Sequence, residues 1–218
     1  MIQRIRILVI GSGGIGSLLT MHILRAISHS GLINIADCIE ISLMDSDVVE
    51  PGNLPHQQFA SDDLSHHKVT ALQNHAGNIL LTQNDSIELL GIAQDYSAET
   101  DISEYDLVVV AVDSEQPRNL VHSNAKNWLD LRASGDGFVM WSNHDDLRIL
   151  DSLPKPPVGV STSCQLDEAV ESGNIQFGFA LAAAHGAQWI VQWLRGADTP
   201  PGRIYTIHMG DLTPAKSY

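Results

Sequence analysis

Positively charged residues are scarce in this sequence. Its 218 residues include 12 Lys and Arg against 26 Asp and Glu, which gives a formal net charge of −14 at pH 7. Proteins that bind nucleic acid or anionic membranes normally present a basic face to their partner. We therefore expect neither nucleic acid nor a membrane surface as a partner.

Cysteine is also scarce, because the chain has only Cys38 and Cys164. They form no C-x-x-C pair, so the cysteine pairs of a structural zinc ribbon are missing. Long apolar runs are absent too: none reaches the roughly 18 residues of a membrane helix, and no signal peptide opens the sequence. These absences predict a soluble, cytoplasmic protein without structural zinc.

What the chain does contain is a series of short apolar runs separated by helical patterns. A hydrophobic content of 44% and 17 glycines are typical of a globular α/β protein. Their order predicts a single-domain, Rossmann-like, doubly wound α/β fold with a mixed sheet, divided into a nucleotide-binding half (about 1–130) and a second half (about 131–218). Buried strands are predicted at 4–11, 38–45, 86–92 and 105–113, and a last strand at 203–209. The other predicted elements are helices at 61–80 (N-cap Ser61 or Asp62), 115–127 and 175–196, a hairpin at 128–143 and a proline-rich loop at 151–162.

A glycine-rich segment, GSGGIG, follows the first predicted strand and opens a helix. Its glycines, Gly11, Gly13, Gly14 and Gly16, allow backbone N–H groups to approach a phosphate or ribose, where the helix N-terminus favours negative charge. Asp45 ends the second strand and can accept hydrogen bonds from both ribose hydroxyls. These residues serve NAD and ATP equally well.

Four motifs in order are more specific. They are GSGGIGS (11–17), MDSDVVEPGNLPHQQF (44–59), the lysine of SHHKVTAL (65–72) and VVVAVDSEQPRN (108–119). The set resembles the ubiquitin-activating, E1-like superfamily of the ThiF, MoeB and HesA type. A looser resemblance, carried by NWLDLRAS (127–134) and TSCQLDEAV (162–170), is to the ThiF-like proteins of PRTRC gene clusters.

The resemblance implies an adenylyltransferase. ATP and Mg²⁺ would activate the C-terminal glycine of a ubiquitin-like or sulfur-carrier protein with release of pyrophosphate, and the enzyme would be a homodimer. The implied catalytic residues are Asn53, His56, Gln57, Lys68, Asp113 and Cys164. The implied cofactor-binding residues are Gly11, Gly13, Gly14, Gly16, Asp45, Asp47, Lys68, Asp113 and Arg118, with Asp113 as the Mg²⁺ ligand.

Each of these roles has a plainer alternative. Asp45 could cap a strand end, Lys68 could be a solvated helix lysine, and Asp113 could cap the helix that follows it. Arg118 could pair with Asp113 or with a neighbouring acid. Cys164 could form a thioester if a helix N-terminus lowered its pKa, but the acids of LDEAVES oppose that shift and free cysteines are usually buried.

His56 stands where the resembling family has arginine. Arginine is always charged and binds phosphate through two parallel hydrogen bonds, whereas histidine with its ordinary pKa of about 6.5 is mostly neutral at pH 7. The arginine-bearing N-terminal helix of many relatives is also missing, because the first strand begins by about Arg4. The alternative function is therefore a catalytically weak or inactive nucleotide-binding subunit of a complex. A third hypothesis, which the glycine loop alone allows, is a nicotinamide-dependent oxidoreductase.

Overall fold

An eight-stranded mixed sheet runs through the protein. The computed structural model describes residues 2–80, 86–153, 164–165 and 168–214. The strands are β1 (Ile2–Ile10), β2 (Ala36–Met44), β3 (Ile87–Ile92), β4 (Leu107–Val110), β5 (Trp128–Ser134), β6 (Gly137–Ser142), β7 (Arg203–Thr206) and β8 (Gly210–Asp211). Their order across the sheet is β3-β2-β1-β4-β5-β6-β7-β8. The first five in this order pair in parallel and the last three are antiparallel.

Helices cover both faces of the sheet. They are α1 (Gly14–Ser28), α2 (Lys68–Leu80), α3 (Glu115–Asn124), α4 (Leu147–Ser152), α5 (Ala169–Ser172) and α6 (Gly178–Leu194). One apolar core joins the sheet to α1, α2 and α6, and a smaller core on the other face includes residues of α3 and α4. The predicted Rossmann-like α/β fold with a mixed sheet is therefore confirmed. Within the described residues, no helix is long and apolar enough to cross a membrane.

The topology places a crevice at the carboxyl ends of the central strands. Strand β1 pairs with β2 on one side and with β4 on the other, so the chain leaves β1 between two diverging connections. Backbone hydrogen bonds continue past the strand ends, from Gly11 N to Met44 O (2.9 Å) and from Ala111 N to Ile10 O (2.8 Å). Ligands of open α/β sheets bind at such a switch point.

The predicted helix at 61–80 was wrong in its first part. Only α2 is α-helical there, and Ser61–Asp63 form a short 3-10 turn instead. Residues 65–67 pair with the preceding loop, through Ser65 N to Val49 O (2.9 Å) and Val49 N to His66 O (2.9 Å). This pairing, with Ser65 at a φ of +68°, is incompatible with a helix, so the tertiary contact overrides the local pattern.

The second half follows the predicted order with three differences. The hairpin is confirmed as β5 and β6, and the last helix is α6. The last strand is shorter than predicted, because a turn after Thr206 leads into the unpredicted β8. Helix α4 was not predicted and takes the first two residues of the predicted proline-rich loop; residues 154–163 of that loop lie outside the described part of the chain.

Candidate functional site

The glycine loop is a tight turn in which two glycines are required by the chain itself. Gly11 has a φ of +96°, and a Cβ there would lie 2.6 Å from the carbonyl oxygen of Ala111. A Cβ on Gly16 would lie 1.9 Å from the carbonyl oxygen of Gly11. Gly13 differs, because its added Cβ would meet only Gln57 Nε2, at 3.9 Å. Gly11 and Gly16 therefore let the turn close, whereas Gly13 faces open space.

A cleft of about 1040 Å³ opens beside this turn, at the carboxyl ends of β1, β2 and β4. It collects eleven of the predicted site residues: Gly11, Gly13, Gly14, Asp45, Asp47, His56, Gln57, Lys68, Asp113, Arg118 and Cys164. Asn53 lines an adjoining cavity of about 480 Å³, which shares His56, Gln57, Lys68 and Asp113 with the cleft. Among the described lining residues of these two cavities, Gly16 does not appear.

Asp45 anchors the start of the 43–59 segment against the glycine loop. Its Oδ2 accepts the Ser12 N–H at 2.6 Å, and its Oδ1 accepts the Asp47 N–H at 2.8 Å. Burial raises the pKa of Asp45 above its ordinary value, although the N–H of Ser12 and the charge of Lys68 act in the opposite direction. A carboxylate offers about four lone-pair sites, so acceptor capacity remains on the cleft side.

Lys68 begins α2 and brings a buried ammonium group to the cleft. Its side chain is only 8% exposed, and Nζ donates to Asp47 Oδ2 at 2.7 Å. Asp47 is 65% exposed, and its backbone oxygen also accepts the Lys68 N–H at 2.9 Å. The ammonium group is therefore held in place by an acid that an incoming anion could displace, and Lys68 is not a solvated helix lysine.

His56 and Gln57 lie side by side in the wall that the two cavities share. His56 Nδ1 and Gln57 Oε1 are buried atoms without a hydrogen-bond partner among the described residues, and the two side chains approach at 3.4 Å. Burial and then the charge of Lys68 lower the pKa of His56 below its ordinary value. His56 is thus more fully neutral at pH 7 than an exposed histidine, and it does not replace the charge of the family arginine.

Asn53 and Asp113 occupy different settings. Asn53 Oδ1 accepts the Glu50 N–H at 2.9 Å and closes a short 3-10 turn, so this oxygen has a structural partner. Asp113 is exposed, follows β4 directly and lines both cavities. Asp113 is therefore the acid most open to a ligand that spans the two cavities.

Arg118 lines the cleft, but its guanidinium group is directed into the protein. The residue is 4% exposed, and it donates to Asp130 Oδ1 and to the carbonyl oxygen of Val112. The alternative that Arg118 pairs with a neighbouring acid describes this contact, and the acid is Asp130. Sequence reasoning missed Asp130 and Arg132, although an acid inside an apolar strand such as WLDLR is an unusual and detectable signal.

Cys164 also lines the cleft, yet it is not an activated thiol. Burial raises its pKa to about 11, and the nearby Asp113 adds to this effect while Arg118 opposes it. The expected lowering of the pKa by a helix N-terminus was wrong, because α5, which follows, has only four residues. The carbonyl group of Cys164 accepts the Gly135 N–H at 3.2 Å and ties this segment to the hairpin turn.

The donor set around Asp113 fits a magnesium ion that arrives with a ligand. Among the described residues, no three His, Cys, Asp or Glu side chains are grouped to hold a metal ion. Mg²⁺ prefers oxygen ligands and is usually bound by one or two carboxylates together with substrate phosphates. The carboxylate of Asp113 meets that requirement without a complete protein cage.

The fold and the cleft define a class: α/β proteins that hold a nucleotide at a glycine turn on the switch point of a doubly wound sheet. The comparison with protein-family models is more specific. The ThiF family model matches residues 1–213, and the chain belongs to the ThiF family of the E1-like superfamily. A comparison with curated proteins gave no match.

Solved structures agree with this assignment at the level of the fold. E. coli MccB with MccA-N7isoASN is 20% identical with a TM-score of 0.63, and the match covers 94% of this chain and 62% of that chain. E. coli MccB with ATP is 20% identical with a TM-score of 0.58, covering 94% and 61%. PaaA is 17% identical with a TM-score of 0.60, covering 94% and 62%. The chain therefore spans about six tenths of the length of these proteins.

Proposed function

We propose that this protein binds ATP with Mg²⁺ and adenylylates the C-terminal glycine of a ubiquitin-like or sulfur-carrier protein. The observation that carries the proposal is the convergence of Asp45, Lys68 and Asp113 on one cleft beside the glycine turn. These residues come from three separate motifs of the E1-like pattern. The family match favours ATP over NAD as the nucleotide, and E. coli MccB, which shares the fold, has been crystallised with ATP.

The ribose would bind at Asp45. Both of its oxygens already accept one backbone N–H each, which fixes the orientation of the carboxylate. Hydroxyl groups of a ribose are donors, and an ionised carboxylate is a pure acceptor with lone pairs to spare. The open side of Gly13 leaves space for the nucleotide next to this carboxylate.

The phosphates would lie between Lys68 and Asp113. Phosphate oxygens can take the place of Asp47 as partners of the Lys68 ammonium group, and Asp113 supplies a carboxylate oxygen for Mg²⁺. The unpartnered Gln57 Oε1 and His56 Nδ1 border the same path, together with Asn53 in the adjoining cavity. When bound, Mg²⁺ would neutralise charge that develops on the phosphates.

The carrier carboxylate would approach from the hairpin side. The cleft continues from the glycine turn over β5, β6 and β7, where Ser134, Gly137 and Thr206 form its lining. Small side chains along this extension suit a narrow glycine-terminated tail. E. coli MccB has been crystallised with MccA, so a protein of the same fold accepts a second ligand besides ATP.

ATP–pyrophosphate exchange tests the proposal. The full chain is incubated with ATP, Mg²⁺, labelled pyrophosphate and each small protein that ends in glycine from its genomic neighbourhood. We expect carrier-dependent exchange that is lost when the terminal glycine is removed. Exchange with none of these carriers, and no adenylated carrier by mass spectrometry, would refute the proposed activity.

A second function is favoured by the neutral, half-buried His56. The lowered pKa of His56 and the missing arginine leave little fixed charge on the phosphate path. The protein would then bind nucleotide without turnover and act as the partner of an active chain. Calorimetry that shows Mg²⁺-dependent ATP binding, combined with no exchange for any carrier, would favour this function.

Three further expectations belong to this proposal. A homodimer is expected from the family resemblance alone, because the apolar side of α6 packs against α1 and the hairpin of the same chain. Light scattering after size exclusion tests it. Thioester formation on Cys164 is tested by trapping an acylated intermediate. The narrower likeness to PRTRC-cluster proteins has no support from the comparisons and stays a prediction.

A further inference from the structure

A buried carboxylate lies directly behind the loop that carries Asp113. Asp130 on β5 is 1% exposed, and arginines engage both of its oxygens. Oδ1 accepts from Arg118 Nη1, and Oδ2 accepts from Arg132 Nε at 3.0 Å and Nη2 at 2.7 Å. Burial alone would raise the pKa of Asp130, but Arg118, His122 and Arg132 outweigh it and hold that pKa far below its usual range.

The two arginines extend from Asp130 to opposite sides of Asp113. Arg118 Nη2 donates to the carbonyl oxygen of Val112, the residue before Asp113. Arg132 Nη1 donates to Glu115 Oε1 at 2.9 Å, two residues after Asp113. The turn that carries Asp113 is therefore tied at both ends to one carboxylate on the neighbouring strand.

We propose that Asp130, Arg118 and Arg132 form a clamp that positions Asp113 for the metal–nucleotide complex. The three are positioning residues, and Arg118 does not bind the nucleotide itself. Both terminal nitrogens of Arg118 donate to protein oxygens, and a phosphate could recruit them only by breaking a buried ion pair. The inference rests on the proposed function in one respect, the assignment of Asp113 as the Mg²⁺ side chain.

The geometry of magnesium explains why such a clamp matters. Mg²⁺ demands nearly ideal octahedral coordination with short metal–oxygen bonds. Groups that orient a metal ligand typically change metal affinity by about ten- to a hundredfold when they are mutated. Lysine cannot replace Arg118, because a single ammonium group lacks the planar fork that reaches Asp130 and Val112 at once.

Calorimetry on the full-length chain separates positioning from general stability. ATP is titrated at increasing MgCl₂, and AMP is titrated in EDTA as a metal-independent reference. For Arg118→Lys and for Arg132→Gln we expect the Mg²⁺-dependent gain in ATP affinity to fall by about ten- to a hundredfold, as for Asp113→Asn. The Kd for AMP should stay within about twofold. Arg4→Gln, which removes another cross-strand arginine from its pairs with Glu40 and Glu88, is the matched control and should behave like the wild type.

Each result has one meaning. Normal Mg²⁺ dependence in Arg118→Lys and Arg132→Gln, with loss in Asp113→Asn, overturns the clamp and leaves the proposed function intact. Equal weakening of ATP and AMP also overturns it, because a merely structural role predicts that pattern. A wild-type chain without Mg²⁺-dependent ATP binding overturns the proposed function together with the clamp. If Arg118→Lys does not fold, the partly exposed Arg132→Gln decides, since its side chain is 20% exposed.

Discussion

Replacement of His56 by arginine is the most direct probe of the phosphate path. His56 lies in the wall shared by both cavities, and its pKa is lowered by burial and by Lys68, so the wild-type side chain is neutral at pH 7. A neutral hydrogen bond contributes about 0.5–1.5 kcal/mol, and one from a charged donor about 1.5–3 kcal/mol. The expected gain in ATP binding is therefore about 1–2 kcal/mol, or roughly five- to thirtyfold in Kd.

The pH dependence sharpens this prediction. Because the pKa of His56 is lowered in the nucleotide-free protein, ATP must draw a proton onto the ring to gain a charged partner there. We expect wild-type ATP affinity to increase as the pH falls through and below about 6.5, whereas His56→Arg binds nearly equally at both ends of the range. The gap between the two proteins should therefore narrow from pH 8 to pH 5.5.

Isothermal titration with ATP and Mg²⁺ at several pH values measures this gap, and pyrophosphate exchange follows turnover in parallel. His56→Gln keeps the site neutral and should remove the pH dependence without raising affinity. His66→Arg adds the same charge at an exposed position outside the cleft and should leave Kd unchanged. Equal affinities of wild type and His56→Arg at every pH would refute the assignment of this loop to the phosphate path.

Four more predictions follow from single positions. Lys68→Ala should weaken ATP far more than adenosine in calorimetry, and equal losses would count against a phosphate role. Gly16→Ala should destabilise the fold by about 3 kcal/mol or more, whereas Gly13→Ala should fold normally and bind ATP poorly; chemical denaturation and calorimetry compare the two. Cys164, with a pKa of about 11, should react with iodoacetamide at pH 8 much more slowly than free cysteine, and rapid alkylation would contradict its burial. Since the folded-state pKa of His56 lies below its unfolded value, the unfolded chain binds more protons in acid, so His56 costs stability as the pH falls below about 6.5; denaturation curves of His56→Gln should lose that part of the slope.

The crossover pattern and the hairpin were readable because they depend on local signals. Apolar runs of strand length, the glycine turn and the SGDG turn each specify their element within a few residues, and the structure shows those elements in the predicted order. Predictions failed where a distant segment intervened. The start of α2 was misplaced because Val49 pairs with Ser65 and His66, and β8 was missed because it depends on a partner strand, β7.

The sequence by itself determined which residues could meet a nucleotide. The glycine turn, Asp45, Lys68 and Asp113 belong to contiguous motifs whose spacing survives any detail of packing. Only the tertiary structure decided how those residues are held. Ion pairing of Lys68 with Asp47, the inward direction of Arg118 and the pKa shifts of His56 and Cys164 all depend on burial and on neighbours far along the chain. Electrostatic interactions depend on three-dimensional distance and local solvation, and neither is encoded in the spacing of a motif.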